Sequence, residues 1–206
     1  IEANTSWDDA HFESCGQQWM LLAEPRYAVA LVNQSSYGHD VSPAGGDEHT
    51  PTMGVMARLT LLRSPQSPDP HPDQGCHHLV YSLLTDARVE SAHVEAARLN
   101  QPLQVRSGTV ELPSTARIEP VHGTAVIDAV KQAFDGSGDL VIRIHEAEGA
   151  RSRVRLLLDR DGCVSEVDLL EDPIDEPTQQ LPASTCSRVE LTLRPFQILT
   201  LRVSQR

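Results

Sequence analysis

The chain has 206 residues, of which 39% are hydrophobic, and this is enough for one large domain or two small ones with a buried core. Its formal net charge of −12 argues against nucleic acid or an anionic membrane as a partner, since both reward basic patches. No run approaches the roughly 18 apolar residues of a membrane helix, and the four cysteines form no C-x-x-C pair, which favours a reduced, cytoplasmic setting over a disulfide framework or a zinc ribbon.

Short segments of alternating apolar residues dominate the pattern. The strand candidates are Tyr27–Asn33, Val55–Leu62, His78–Leu84, Ala116–Val121, Leu140–Glu146, Val154–Asp159, Cys163–Leu170, Arg188–Arg194 and Ile198–Val203. Glycine, proline and aspartate separate them, and Asp159-Arg160-Asp161-Gly162 is typical of a tight hairpin link. Repeated short strands of this kind predict an all-β, mainly antiparallel β-sandwich.

One short helix is predicted at Ser91 to Leu99. Ser91 can cap its start, Glu95 lies early enough to suit the positive end of the helix dipole, and Gln101-Pro102 ends it.

The segment 125–134 fits two structures. Its apolar residues have helical spacing: Val126, Ile127, Val130, Ala133 and Phe134. A strand that turns through the glycines between Phe134 and Leu140 also explains the sequence.

Two strands end in polar loops of unusual composition. The first loop, 33–40, has the sequence N-Q-S-S-Y-G-H-D, and the second, 63–78, contains four prolines and three histidines. Strands fix side chains that a free loop would let wander, so such loops suit a ligand surface. A sugar offers an apolar face and a rim of hydroxyls, which Tyr37 with amide and carboxylate groups can bind. The alternative is an ordinary turn in which Asn33 and Asp40 bond to their own backbone.

Five motifs lie in order along nearly the whole chain. They are N-T-S-W-D with F-E at 4–13, the loop at 33–41, L-L-R-S-P-x-x-P-D-P at 61–70, E-A-x-x-L-N-x-P-L at 95–103, and Leu170-Glu171 with Pro195-Phe196. Their order and spacing resemble the C-terminal β region of glycoside hydrolase family 38, the α-mannosidases, and specifically the bacterial and cytosolic or vacuolar branch. The resemblance implies a galactose-mutarotase-like β-sandwich and a strand at Ala125 to Gln132, which we therefore predict.

The resemblance also implies that a catalytic domain is missing from this sequence. Family members are much longer, and their Asp nucleophile and divalent metal site, usually zinc, lie in an N-terminal domain. Because the chain begins at Ile1 rather than Met, we expect a C-terminal fragment, with a subdomain boundary near 106–115. We expect the fragment alone to be inactive and to hold no cofactor. Its partners are then the missing catalytic domain and a mannose-containing saccharide.

In related mannosidases a loop at the place of residues 33–40 approaches the active site. The resemblance therefore makes Asn33, Tyr37, Gly38, His39 and Asp40 the substrate-binding candidates. Gln34 and Ser36 stand where the family pattern has Asp and Lys, so a charged contact with substrate does not carry over.

The second loop has enough donor atoms for a metal ion, and Asp69, Asp73 and His77 match the family pattern. No pair of them has the spacing of a known zinc finger, and the neighbouring prolines stiffen the loop. We favour a structural role at the interface with the missing domain over a metal site.

Glycosidases use two carboxylates, and in two places of this sequence two acidic residues lie on the same face of a predicted strand, two residues apart: Glu166 with Asp168, and Glu146 with Glu148. Solvated pairs of this kind are common, so catalysis by them is not expected. We expect Arg143, Arg153 and Arg155 to form a charged face with Glu146 and Asp159.

The predicted function is to support the catalytic domain of a retaining, metal-dependent α-mannosidase and to complete its substrate cleft. One alternative is a free-standing carbohydrate-binding module, which the few aromatic residues supply poorly. The other is a purely structural or oligomerisation domain. We also expect the fragment to expose an apolar face made for the missing domain and so to self-associate as a homo-oligomer.

Overall fold

The chain is described here by a computed structural model that places residues 13–44, 54–103, 105, 107–108 and 116–204. Most of the motif at 4–13 and most of the proposed boundary at 106–115 lie outside these residues. The backbone divides into two compact units, 1–105 and 106–206. In the described part, every regular element except one helix is a strand, and all paired strands are antiparallel. The predicted fold class is confirmed.

Within its described residues, the first unit contains two three-stranded sheets and the helix. One sheet has the order β1-β4-β5, formed by Ser14–Cys15, Gly38–Pro43 and Val55–Leu59. The other has the order β2-β3-β6, formed by Trp19–Glu24, Tyr27–Asn33 and Tyr81–Thr85. Helix α1, Val89–Asn100, buries Ala92 against Ala30 and Ala87. Such small side chains let a helix lie close to a sheet.

The helix starts two residues earlier than predicted, at Val89. Ser91 is therefore not the N-cap but lies in the first turn, where its hydroxyl accepts from the backbone N–H of Arg88 at 2.8 Å. The helix ends at Asn100, one residue after the predicted end, and the N–H of its C-cap, Gln101, donates to the Ala97 carbonyl at 2.8 Å.

In the second unit, the residues placed by the structure form a sandwich of six strands. They are β7 (Ala116–His122), β8 (Ala125–Gln132), β9 (Leu140–Glu146), β10 (Ser152–Val167), β11 (Cys186–Leu193) and β12 (Ile198–Ser204). The sheet order is β11-β10-β12-β9-β8, and β7 also pairs with β10. Alternate residues of β9 to β12 point into one apolar core that includes Ile142, Leu156, Leu191 and Leu201. Each such side chain stabilises the unit by about 1.5–3 kcal/mol relative to full exposure.

Strand β10 runs unbroken through the predicted hairpin at Asp159 to Gly162, so that prediction is wrong. Its first half pairs with β7 and β11, and its second half pairs with β12. The ladder to β11 shifts register between Leu157 and Gly162, as expected where a bulge bends a strand from one layer to the other. A Cβ at Gly162 would overlap the side chain of Val203, so the bend needs glycine.

The ambiguous segment 125–132 is a strand, as predicted, and it pairs with β9. The turn between them is closed by the Ala133 N–H, which donates to the Asp139 carbonyl at 2.8 Å. Other strand ends differ by a few residues: β5 stops at Leu59 and β6 begins at Tyr81. None of the helical residues placed by the structure forms a helix long and apolar enough to cross a membrane.

Candidate functional site

The loop between β3 and β4 presents one aromatic side chain. Tyr37 is 49% exposed, directly before the first residue of β4, Gly38. Its carbonyl oxygen accepts from the Gly16 N–H at 2.8 Å and lies 3.2 Å from Nδ1 of His39. The main chain at Tyr37 is thus anchored while the ring remains accessible.

Gly38 is held from its other side by Glu13 and Thr60. The Thr60 N–H donates to the Gly38 carbonyl at 2.9 Å, and the Thr60 hydroxyl donates to the Glu13 carboxylate. A Cβ at residue 38 would overlap that carboxylate. Glu13 also faces Arg63, with 3.7 Å between Nη1 and Oε2. Glycine at position 38 therefore allows the flexible Glu13 side chain to approach the main chain closely.

Asp40 lies on the same strand and forms an ion pair with Arg58 of β5. The Arg58 guanidinium is also 3.4 Å from the hydroxyl of Ser42. The Arg58 side chain is largely exposed, so the pair offers hydrogen-bond donors and acceptors at the surface.

The other two candidates are buried. Asn33 is 1% exposed and His39 is 3% exposed. Neither the side-chain amide of Asn33 nor Nε2 of His39 has a hydrogen-bond partner among the described residues, and the Asn33 carbonyl accepts from Asn100 of α1 at 3.1 Å. The His39 ring also lines a groove of about 320 Å³ with Cys15 and Trp19. Whether these residues act on a substrate stays a prediction.

The second loop does not gather its candidate ligands. Asp69 accepts from the backbone N–H of His71 at 2.8 Å, Asp73 accepts from that of Ser64 at 3.3 Å, and Nε2 of His77 lies 2.7 Å from the Asp73 carbonyl. Over the described parts of the chain, no group of three or more His, Cys, Asp or Glu side chains is arranged to hold a metal ion.

The expected charged face of Arg143, Arg153 and Arg155 with Glu146 is wrong. Both Arg153 and Arg155 bond to Glu190 instead, whereas Glu146 points into the protein and is 1% exposed. The misassigned residue is the last of β9, where the strand meets two turns.

Glu146 ties these turns together. Its oxygens accept from the backbone N–H groups of Glu148, Gly149 and Phe196 and from the Ser152 hydroxyl, at 2.8–3.0 Å. Burial raises the pKa of the Glu146 carboxyl, but these donors outweigh burial and hold the pKa below its ordinary value.

The carboxylates of the other proposed pair are engaged as well. Glu166 accepts from the backbone and hydroxyl of Thr178 and from the Gln179 N–H at 2.7–2.9 Å. Asp168 accepts from the N–H groups of Leu170 and Asp172. Both therefore order the turn after β10.

The sequence alone did not identify the residues that hold the main chain at Tyr37 and Gly38. Glu13 belongs to the F-E motif, and that motif was the one available signal. Gly16 and Thr60 lie 21 and 23 residues away from Tyr37 in sequence, and nothing local marks them.

Comparison with known proteins gives matches in both units. Residues 1–71 match the Glycosyl hydrolases family 38 C-terminal domain, and residues 124–201 match the Glycosyl hydrolases family 38 C-terminal beta sandwich domain. The human protein Alpha-mannosidase 2C1 is 35% identical over 211 residues, which include 96% of this chain and 18% of the human protein.

Two further relatives agree. Alpha-mannosidase G of Dictyostelium discoideum is 34% identical over 71% of this chain and 13% of its own length, and Alpha-mannosidase of Saccharomyces cerevisiae is 27% identical over 97% and 19%. The chain thus spans less than a fifth of the length of these relatives. Two models of one family, matched in separate parts of the chain, and relatives aligned over most of it confirm the resemblance of the motifs: the chain belongs to the C-terminal region of glycoside hydrolase family 38.

Proposed function

We propose that this chain is the C-terminal region of an α-mannosidase, where it supports a catalytic domain and completes the substrate cleft. The observation that carries the proposal is the similarity to three α-mannosidases over 71–97% of the chain. The reaction of the complete protein is hydrolysis of terminal α-mannosides with retention, by a carboxylate nucleophile that lies in the catalytic domain.

In this proposal, Tyr37 meets the sugar. Its ring suits the apolar face of a mannose, and its hydroxyl both donates and accepts hydrogen bonds. Asp40 with Arg58 supplies further polar groups on the adjoining strands. Asn33, Gly38 and His39 contribute by shaping the loop from inside, which their burial and close contacts favour.

The divalent metal expected of the complete enzyme belongs, in this proposal, to the catalytic domain. The residues of the second loop do not fit the role, since Asp69, Asp73 and His77 bond to nearby backbone groups. That loop is exposed and suits a contact with the catalytic domain instead. A reducing, cytoplasmic compartment is supported by the four cysteines, which are all unpaired.

The experiment compares the complete protein with the 206-residue chain. Both are purified, checked for folding by circular dichroism, and assayed on an aryl α-mannoside with and without added zinc. The complete protein should release the aryl group in a metal-dependent manner, and the chain alone should not. Turnover by the chain alone, or none by the folded complete protein, contradicts the proposal.

Titration calorimetry of the chain with mannose and mannobiose separates the rival functions. Tight binding by the isolated chain would identify a carbohydrate-binding module. Absence of binding, together with a stable oligomer in light scattering and an inactive complete protein, would identify an oligomerisation domain.

A further inference from the structure

His39 reaches the main chain that carries Tyr37. Its Nδ1 lies 3.2 Å from the Tyr37 carbonyl oxygen. A carbonyl oxygen only accepts, so the contact requires the tautomer with its hydrogen on Nδ1. The same oxygen accepts from the Gly16 N–H at 2.8 Å. One carbonyl group is therefore held by two donors: the His39 ring on β4 and the Gly16 N–H just after β1.

The sheet positions the His39 ring for its contact with the Tyr37 carbonyl. His39 sits on β4, the central strand of its sheet, with Ser14 opposite on one side and Leu59 opposite on the other. It is 3% exposed, and its Nδ1 contact defines the orientation of the ring beside the groove that it lines. Its position is set by the sheet and not by the loop.

Residue 16 controls how closely the ring approaches. A Cβ built at Gly16 would lie 3.1 Å from Nδ1 and 3.3 Å from Cε1 of His39. That is tighter than ordinary van der Waals contact, so even alanine would push the ring by a few tenths of an ångström. Glycine at this position lets the imidazole and the backbone N–H act on the same carbonyl.

We propose that His39 is a positioning residue, which with Gly16 holds Tyr37 where its ring meets the sugar. This inference rests on the proposed function, because it matters only if Tyr37 contacts substrate. It reassigns His39 from a sugar ligand to a group that acts through Tyr37.

Four variants of the complete enzyme test the inference. His39→Leu removes the donor, and His39→Asn retains one, because the amide nitrogen of asparagine occupies about the same place as Nδ1. Val41→Ala, two residues along the same strand, is the control for a general loss of packing. Tyr37→Ala serves as the reference and as the background for a double variant with His39→Leu.

We expect His39→Leu to lower kcat/KM for an aryl α-mannoside toward the roughly ten-fold loss of Tyr37→Ala. His39→Asn should restore most of that loss, and Val41→Ala should leave kcat/KM per folded molecule unchanged. In the Tyr37→Ala background, His39→Leu should have no further effect, since the two act as one unit.

The outcomes are distinguishable. If Tyr37→Ala lowers kcat/KM but His39→Leu and His39→Asn behave alike, or the effects of His39→Leu and Tyr37→Ala multiply, the positioning role is overturned and the proposed function stands. If Tyr37→Ala itself has no effect, the sugar contact and the positioning role fall together. If His39→Leu does not fold, Gly16→Ala replaces it, and a kcat/KM equal to wild type in that variant overturns the inference.

Discussion

Glu146 allows a direct test of how buried hydrogen bonds stabilise the second unit. Replacement by glutamine keeps the shape of the side chain but turns one acceptor oxygen into an NH2 group. Each carboxylate oxygen accepts two hydrogen bonds, one from the Glu148 N–H and Ser152 hydroxyl, the other from the N–H groups of Gly149 and Phe196. The less costly placement puts the NH2 toward Ser152, whose hydroxyl can rotate and accept; the NH2 then still faces one donor, the Glu148 N–H.

The expected cost follows from those contacts. A hydrogen bond to a charged group contributes about 1.5–3 kcal/mol, and at least one, from the Glu148 N–H, is lost. We therefore expect Glu146→Gln to lower the free energy of unfolding by about 1.5–3 kcal/mol. For a unit of about 100 residues, this lowers Tm by about 6 °C or more.

The pH dependence of the free energy of unfolding gives a second test, because only the ionised Glu146 carboxylate stabilises the fold. The pKa of Glu146 is below its ordinary value of 4.5 in the folded chain. Its contribution to stability is therefore fully present above pH 4.5 and is lost as the pH falls through the folded pKa. The stability difference between wild type and Glu146→Gln should shrink on acidification over that range.

The assay is urea unfolding of the 206-residue chain, followed by circular dichroism, at neutral pH and in acid. The matched control is Glu148→Gln, because that exposed carboxylate accepts from the Thr124 hydroxyl at 2.7 Å and an amide oxygen can do the same. It should stay within about 0.5 kcal/mol of wild type. A similarly small effect of Glu146→Gln would contradict the conclusion that the buried Glu146 carboxylate stabilises the two turns that it joins.

Two further predictions concern the second unit. Gly162→Ala should lower the free energy of unfolding by about 1–3 kcal/mol, because the new Cβ would overlap Val203 at the bend of β10; an unchanged urea midpoint would argue against the bend. The hydrogen bond that His145 Nδ1 donates to Asp128 raises the pKa of His145 above its ordinary value of 6.5, although burial opposes it. The pair therefore stabilises the chain fully below pH 6.5 and no longer does so once the pH exceeds the folded pKa, so Asp128→Asn should cost up to about 1 kcal/mol in acid and nothing at alkaline pH; a pH-independent cost would contradict the pairing.

Local pattern was sufficient for most strands, because their side chains alternate between a core and solvent. Strand β8 shows where local pattern is insufficient, since its apolar spacing also fits a helix. Only the glycines after it and the family resemblance favour a strand. The bend at Asp159 to Gly162 cannot be predicted from the local sequence. Its residues are those of a hairpin turn, but the chain continues because both halves of β10 find partners in different layers.

The site was predictable as a loop but not as a geometry. The motif identified Tyr37 and its neighbours from their types and order. Burial of His39 depends on its central place in a sheet whose edge strand, Ser14–Cys15, is only two residues long. The contacts of Gly16 with Tyr37 and of Glu13 with Thr60 flank that same distant strand pairing, which no spacing within residues 33–40 encodes.

The central claim is that Tyr37 contributes to the substrate cleft of an α-mannosidase, and the most direct test is the effect of Tyr37→Ala on the complete enzyme. Tyr27→Ala is the matched control, since Tyr27 is 50% exposed and Tyr37 is 49% exposed. We predict that Tyr37→Ala lowers kcat/KM for an aryl α-mannoside by about ten-fold or more, equivalent to about 1.4 kcal/mol of transition-state binding, with Tm unchanged. Tyr27→Ala should change neither. A fall in Tm for Tyr37→Ala with kcat/KM per folded molecule intact would contradict the claim and leave the loop at 33–40 a purely structural turn.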